Sequence, residues 1–169
     1  MPSYTLSIAI FGEGNNPTHR SHWAFTIHQS QPPQDDPTTT TTYGDLLHVR
    51  VIDLDRLWYQ FEHRSDTHLP TMHNIMQAVG TCKIADLPTA EDRRRAIEII
   101  AEEGEKRAPR DGGRRCQEWV FETLIALEVE EFVPEGTAGF WKGMVGREAR
   151  EVEREVGVGG WVDLRRRIG

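Results

Sequence analysis

The stretch Arg114–Arg115–Cys116–Gln117–Glu118–Trp119–Val120 decides how this chain folds. It follows a glycine pair, Gly112–Gly113, and opens a run in which Cys116, Val120, Thr123 or Leu124, and Leu127 recur at helical spacing. Residues three and four apart share one face of an α-helix, so this spacing predicts a helix over 114–130. Cys116 lies near the helix start on the face turned toward the core. A thiol there meets the N–H groups of the helix N-terminus, whose partial positive charge favours a thiolate.

Just upstream, Ala108–Pro109–Arg110–Asp111–Gly112–Gly113 is a polar link rich in turn residues. Before it, Pro88–Thr89–Ala90–Glu91–Asp92 reads as a helix start, with Thr89 as the cap and acids in the first turn. The helix it opens, over 90–106, spaces Ala96, Ile97, Ile100 and Ala101 along one face. Downstream, 148–154 reads as a short, highly charged surface helix. Gly157–Val158–Gly159–Gly160 breaks it, and the tail 157–169 is expected to be mobile.

The first half has a different period. Tyr4 to Phe11 alternates large apolar with small residues, the pattern of a half-buried strand, and stops at the turn cluster Gly12–Glu13–Gly14–Asn15–Asn16–Pro17. A second strand follows, with Trp23, Phe25 and Ile27 on one face and His22, Ala24, Thr26 and His28 on the other. In a third, over 46–52, Leu47, Val49 and Val51 oppose Leu46, His48, Arg50 and Ile52. Segments 57–63 and 80–84 are a fourth and a weaker fifth strand. Residues 29–43 (QSQPPQDDPTTTTTY) are low-complexity and too polar to bury a core, so they read as a mobile surface loop. Strands first and helices second predict an α+β fold: a mainly antiparallel sheet of four to five strands with helices packed on it.

A chain of 169 residues fits one domain, 1–169, with a single core. No apolar run reaches the length of a membrane span, and the start does not read as a signal peptide. A net charge of −7 argues against nucleic acid as the main partner. Arg93–Arg94–Arg95 and Arg165–Arg166–Arg167 read as solvated surface. Two cysteines, Cys82 and Cys116, make no disulfide framework, and a reducing, cytoplasmic compartment is the default. The oligomeric state is left open.

With His22–Trp23–Ala24–Phe25 early and Cys116–Gln117–Glu118–Trp119–Val120 late, the chain resembles the circularly permuted papain-like cysteine enzymes, including the lecithin–retinol acyltransferase-like proteins and the desumoylating-type isopeptidases. It also resembles a family of uncharacterised fungal domains. These share a His–x–x–His–Trp segment, here from His19 to Trp23, a Cys–Gln–x–Trp–Val helix, and a Gly–x–Leu–Leu/Ile–His–Val strand matched by Gly44 to Val49. The motifs cover about thirty residues, in the expected order. The resemblance implies a permuted papain-like fold with a histidine opening a strand and a nucleophilic cysteine opening a later helix.

A free thiol is only slightly ionised at neutral pH, so a cysteine nucleophile needs an imidazole partner and a positive field. Here Cys116 would be the nucleophile, with Arg114 and Arg115 nearby. His22 is its preferred base, and His48 on the next strand is placed to orient His22. Gln117 and the helix-start N–H groups are candidates for holding an oxyanion. The expected activity is hydrolysis or acyl transfer on an amide, ester or thioester through a thioester intermediate. The substrate would be a small-molecule, lipid or peptide acyl compound, and no cofactor is called for.

Each residue also has a plainer reading. Cysteine is among the most often buried residues, and both histidines could serve the sheet alone. Arg115 stands before the thiol where these enzymes carry Asn or another small polar residue. That favours the alternative of a catalytically inactive binding or interaction module that keeps the fold. His19, His22, His28 and His48 could in principle hold zinc, but their spacing matches no strong zinc signature, and no metal site is assigned.

Overall fold

The computed structural model describes residues 2–30, 43–68 and 77–165. Its fold is α+β, with an antiparallel six-stranded sheet and four helices packed against it. In chain order the elements are β1 (Tyr4–Phe11), β2 (His22–Gln29), β3 (Tyr43–Asp53), β4 (Trp58–His68), β5 (Ala78–Leu87), α1 (Ala90–Arg107), α2 (Cys116–Val129), α3 (Thr137–Met144), α4 (Ala149–Val156) and β6 (Trp161–Asp163). Across the sheet the strands run β4-β3-β2-β1-β5-β6.

β1 is central and pairs along its length with β2, from Tyr4 opposite Gln29 to Phe11 opposite His22. This register puts Leu6, Ile8 and Ile10 on one face with Trp23, Phe25 and Ile27. Leu47, Val49, Tyr59 and Cys82 join them, and the helices cover that face with Ile100, Trp119, Val120, Leu124 and Leu127. The opposite face is buried too. Ala9, Ala24 and Thr26 are fully buried there, and Phe11, Leu46, Ala78 and Leu164 form a second apolar cluster. The sequence reading of β1 as half-buried is therefore corrected. Its small residues mark a second buried face that admits only small side chains near the sheet centre.

α2 crosses the sheet through Trp119, whose ring lies 5.8 Å from Phe25 and 6.0 Å from Phe61. α1 begins as the sequence indicates. Thr89 Oγ1 accepts from the Asp92 N–H, and the Asp92 carboxylate accepts from the Thr89 N–H. Its buried residues are Ala96, Ile99, Ile100 and Gly104, a stripe rotated slightly from the expected one. Gly104 is there because Phe61 lies against it: a Cβ would fall 2.2 Å from that ring.

The sequence did not predict α3, whose run is interrupted by Gly139 and Gly143. Trp161–Asp163, assigned to a mobile tail, pairs with Gly80–Cys82 as an edge strand. The expected loop 29–43 contributes Gln29 to β2 and Tyr43 to β3. Residues 31–42 of that loop, and 166–169 of the tail, lie outside the described residues. Among the described residues no helix is long and apolar enough to cross a membrane.

Candidate active site

The β2–β3 ladder is short. It joins Phe25–Ile27 to Asp45–Leu47, whereas β3 stays paired with β4 as far as Asp53 opposite Trp58. The start of β2 and the later part of β3 therefore stand apart, and α2 points its first residue at this opening. Gln117 fixes the approach: its Nε2 donates to the Ser21 carbonyl at 2.8 Å, and its Oε1 accepts the Gly146 N–H at 2.8 Å. Both ends of this fully buried amide are thus used to tie α2 to the entry of β2 and to the α3–α4 turn. Gln117, expected as an oxyanion donor, is a structural strap in this geometry.

Cys116 is 8% exposed and belongs to the helix-side core. The backbone N–H groups of Trp23 and Gln117 lie close enough to its sulfur to favour the thiolate. The thiol therefore sits beside the His22 backbone. Burial pushes its pKa up. The Trp23 N–H, the Arg20 charge and the Gln117 N–H work in the other direction, Glu118 adds to the rise, and the balance stays above that of a free thiol. The nearby guanidinium is Arg20, from the turn before β2, not the expected Arg114. Arg20 holds the Glu118 carboxylate at 2.8–3.1 Å, while Arg114 is spent on Asp111 and Glu122. Tyr59 shares this field, and its hydroxyl is pushed up to about 12 by burial and by Cys116.

His22 and His48 come together across the opening. His22 Nε2 lies 2.9 Å from His48 Nδ1, and their rings meet edge to face. His48 Nε2 continues the chain to Glu62 Oε1 at 2.9 Å, directly opposite on β4. Glu62 is held by Arg64 at 2.7 Å and faces Arg50 at 3.5 Å. Burial pushes the His48 pKa down despite Glu62, so His48 is neutral at pH 7. Burial alone would raise the Glu62 pKa, but its bond to His48 and the Arg64 charge bring it below the usual carboxylate value. These states assign the protons. An ionised carboxylate only accepts, so His48 carries its hydrogen on Nε2 and accepts on Nδ1. His22 must then donate from Nε2, which makes Nδ1 its basic nitrogen.

His22 pairs with Phe11 and His48 is opposite Glu62, so these side chains leave the sheet on the face away from α2. Cys116 approaches from the helix side, at the level of the Trp23 peptide. Among the described residues no hydrogen bond joins Cys116 to His22. Glu62, Arg20, Glu118 and Tyr59 were missed as site residues. In the sequence they look like ordinary surface charges and a core aromatic, and only strand register and the short β2–β3 ladder bring them here.

Cys82 lies elsewhere, 1% exposed in the helix-side core, with burial pushing its pKa up to about 12. It packs within the core. Two shallow clefts of about 400 and 500 Å³ run along β5 and include none of Cys116, His22 or His48. His19 bonds its neighbour Thr18, and among the described residues no three His, Cys, Asp or Glu gather as a metal site would require.

Residues 7–134 match the model of a family of unknown function, DUF6540, three quarters of the chain. The chain belongs to that family. No curated protein and no solved structure matches it. The DUF6540 region runs from within β1 to just beyond α2. It therefore contains Arg20, His22, His48, Tyr59, Glu62, Cys116 and Glu118, while α3, α4 and β6 lie outside it.

Proposed function

We propose that this protein is a cysteine-dependent hydrolase or acyltransferase of permuted papain-like type, with Cys116 as nucleophile and His22 as base. The observation that carries this reading is the Glu62–His48–His22 hydrogen-bond chain, which ends at the start of β2, where the Gln117–Ser21 bond straps down the helix that Cys116 opens. A chain of this kind fixes an imidazole tautomer and stabilises its charged form, as the third member of a catalytic triad does. A sheet that needed two histidines only for packing would not require a buried neutral relay ending on an ionised carboxylate.

In the proposed reaction, the Cys116 and His22 side chains meet through the opening between β2 and β3, and His22 takes the thiol proton as the sulfur attacks the carbonyl carbon of an amide, ester or thioester. The C–N, C–O or C–S bond to the leaving group breaks, and His22 returns the proton to that group. Water or an amine then attacks the thioester while His22 accepts its proton, and the sulfur leaves to regain it. Because the Gln117 side chain is committed, backbone N–H groups at the start of α2 would hold the oxyanion. The acyl group would belong to a small molecule, a lipid or a peptide.

A second reading, an inactive module that retains the fold, draws on the burial of Cys116 and its raised pKa. The two separate in one experiment. Purified protein is incubated with activated thioesters and esters, and covalent acylation is located by mass spectrometry. Acylation confined to Cys116, lost in Cys116→Ala and slowed at least about a hundredfold in His22→Asn, supports the enzyme, in line with the usual share of a general base. Turnover unchanged in Cys116→Ala overturns Cys116 as the nucleophile, and no acylation at all leaves the binding module.

A further inference from the structure

Arg20 and Glu118 meet, from different elements, at the start of the helix that Cys116 opens. Arg20 comes from the turn before β2, and Glu118 is the third residue of the helix that Cys116 opens. Three hydrogen bonds of 2.8–3.1 Å make the pair bidentate, and both side chains are three-quarters or more buried. Glu118 Oε2 also accepts the Arg115 N–H at 3.0 Å, which locks the carboxylate to the helix start. A bidentate guanidinium in such a setting has little freedom to move.

Among the described residues, few other charged or titratable groups act on the sulfur. β4 supplies Tyr59, and the residue just before α2 is Arg115, which acts on Tyr59. β2 supplies His22, whose neighbouring peptide reaches the sulfur. Arg114 is turned away to Asp111 and Glu122. The Arg20–Glu118 pair is thus the bonded ion pair that borders the thiol, and its two halves act on a thiolate with opposite sign.

We propose that the Arg20–Glu118 pair tunes the reactivity of Cys116. Arg20 is a positioning residue that keeps positive charge beside the sulfur, while Glu118 aims that charge and partly cancels it. This rests on the reading of Cys116 as the nucleophile, but it concerns the thiol and not turnover. A fixed cation that stabilises the thiolate does so before any substrate arrives. Burial holds the resting thiol largely protonated and the carboxylate adds to this, which protects it from casual oxidation. A substrate group that draws Glu118 away would raise reactivity when it is needed.

The test follows the rate of iodoacetamide alkylation at Cys116, located by mass spectrometry, from about pH 6 to about pH 10, a range that spans ordinary thiol ionisation. Cys82 stays protonated throughout, because burial pushes its pKa up to about 12. Removing the positive charge in Arg20→Met should slow alkylation at neutral pH by roughly three- to tenfold and move its midpoint to higher pH. Removing the negative charge in Glu118→Gln should speed it by roughly two- to fivefold and move the midpoint down. Arg20→Lys, which keeps the charge, should stay close to the parent protein.

Circular dichroism checks that each variant is folded. Should Arg20→Met not fold, the contrast between Arg20→Lys and Glu118→Gln still decides. Shifts of the same sign in the charge-removing variants, no shift in either, or a slowing in Arg20→Lys equal to that in Arg20→Met would overturn the proposal. Opposite shifts in a protein that transfers no acyl group would overturn the enzymatic reading and leave this one standing.

Discussion

At the scale of single residues, Gln117 shows how position in a fold outweighs side-chain chemistry. An amide beside a nucleophilic thiol is an obvious oxyanion donor, but this one spends both ends on the Ser21 carbonyl and the Gly146 N–H. Replacing it with Met keeps the volume and strands the buried Ser21 carbonyl, while the exposed Gly146 N–H can turn to water. The expected cost is about 1–3 kcal/mol, the usual penalty for one unsatisfied buried group. Urea unfolding measures it, and a loss below roughly half a kcal/mol would mean that water replaces the strap. Cys116, His22 and His48 were legible as candidates because their residue types and order are informative. Glu62 was not, since a carboxylate on a mixed-polarity strand is ordinary until register sets it opposite His48.

At the scale of elements, β2 and α2 carry the site, and α1 with β4 holds α2 in place. Gly104 of α1 lies against Phe61 of β4, which in turn contacts Trp119 of α2. Gly104→Ala raises helix propensity and in an exposed helix would stabilise by about 1 kcal/mol. Here the added methyl meets the Phe61 ring, and overpacking of this kind costs about 1–3 kcal/mol. A net loss of stability is therefore expected. A thermal melt at or above that of the parent would show that Phe61 yields without strain. The strand and helix cores were predictable from period-2 and period-3.6 patterns. α3 was not, because Ala138, Trp141 and Met144 carry its buried stripe through a glycine-rich run that reads as loop.

At the scale of the whole molecule, burial on both faces of the sheet is the dominant physical fact, and it makes stability depend on pH. Burial lowers the pKa of His48 and of His28 from the ordinary 6.5. The unfolded chain therefore takes up protons at these sites more readily than the folded one. Their contribution is complete above about pH 6.5 and is lost as pH falls through the lower folded values. Glu62, whose pKa is also lowered, adds the same sign of loss at more acid pH. The melting temperature should fall between about pH 7.5 and about pH 5, and the fall should be shallower in His48→Asn. A melting curve flat over that range in the parent protein would contradict the assignment of a neutral, buried His48.

The sequence by itself determined the α+β class, the order of β1 to β5 with α1, α2 and α4, the inward face of α2, and which thiol and imidazoles were worth following. Those follow from periodicity and from capping and turn chemistry, which are local along the chain. The tertiary structure decided the rest: the second buried face, the break in the β2–β3 ladder, the choice of Arg20 over Arg114 as the charge beside the sulfur, and the Glu62 end of the relay. Each depends on which residues become neighbours at separations of tens of residues. That is fixed by strand register and helix docking, and local sequence does not encode it.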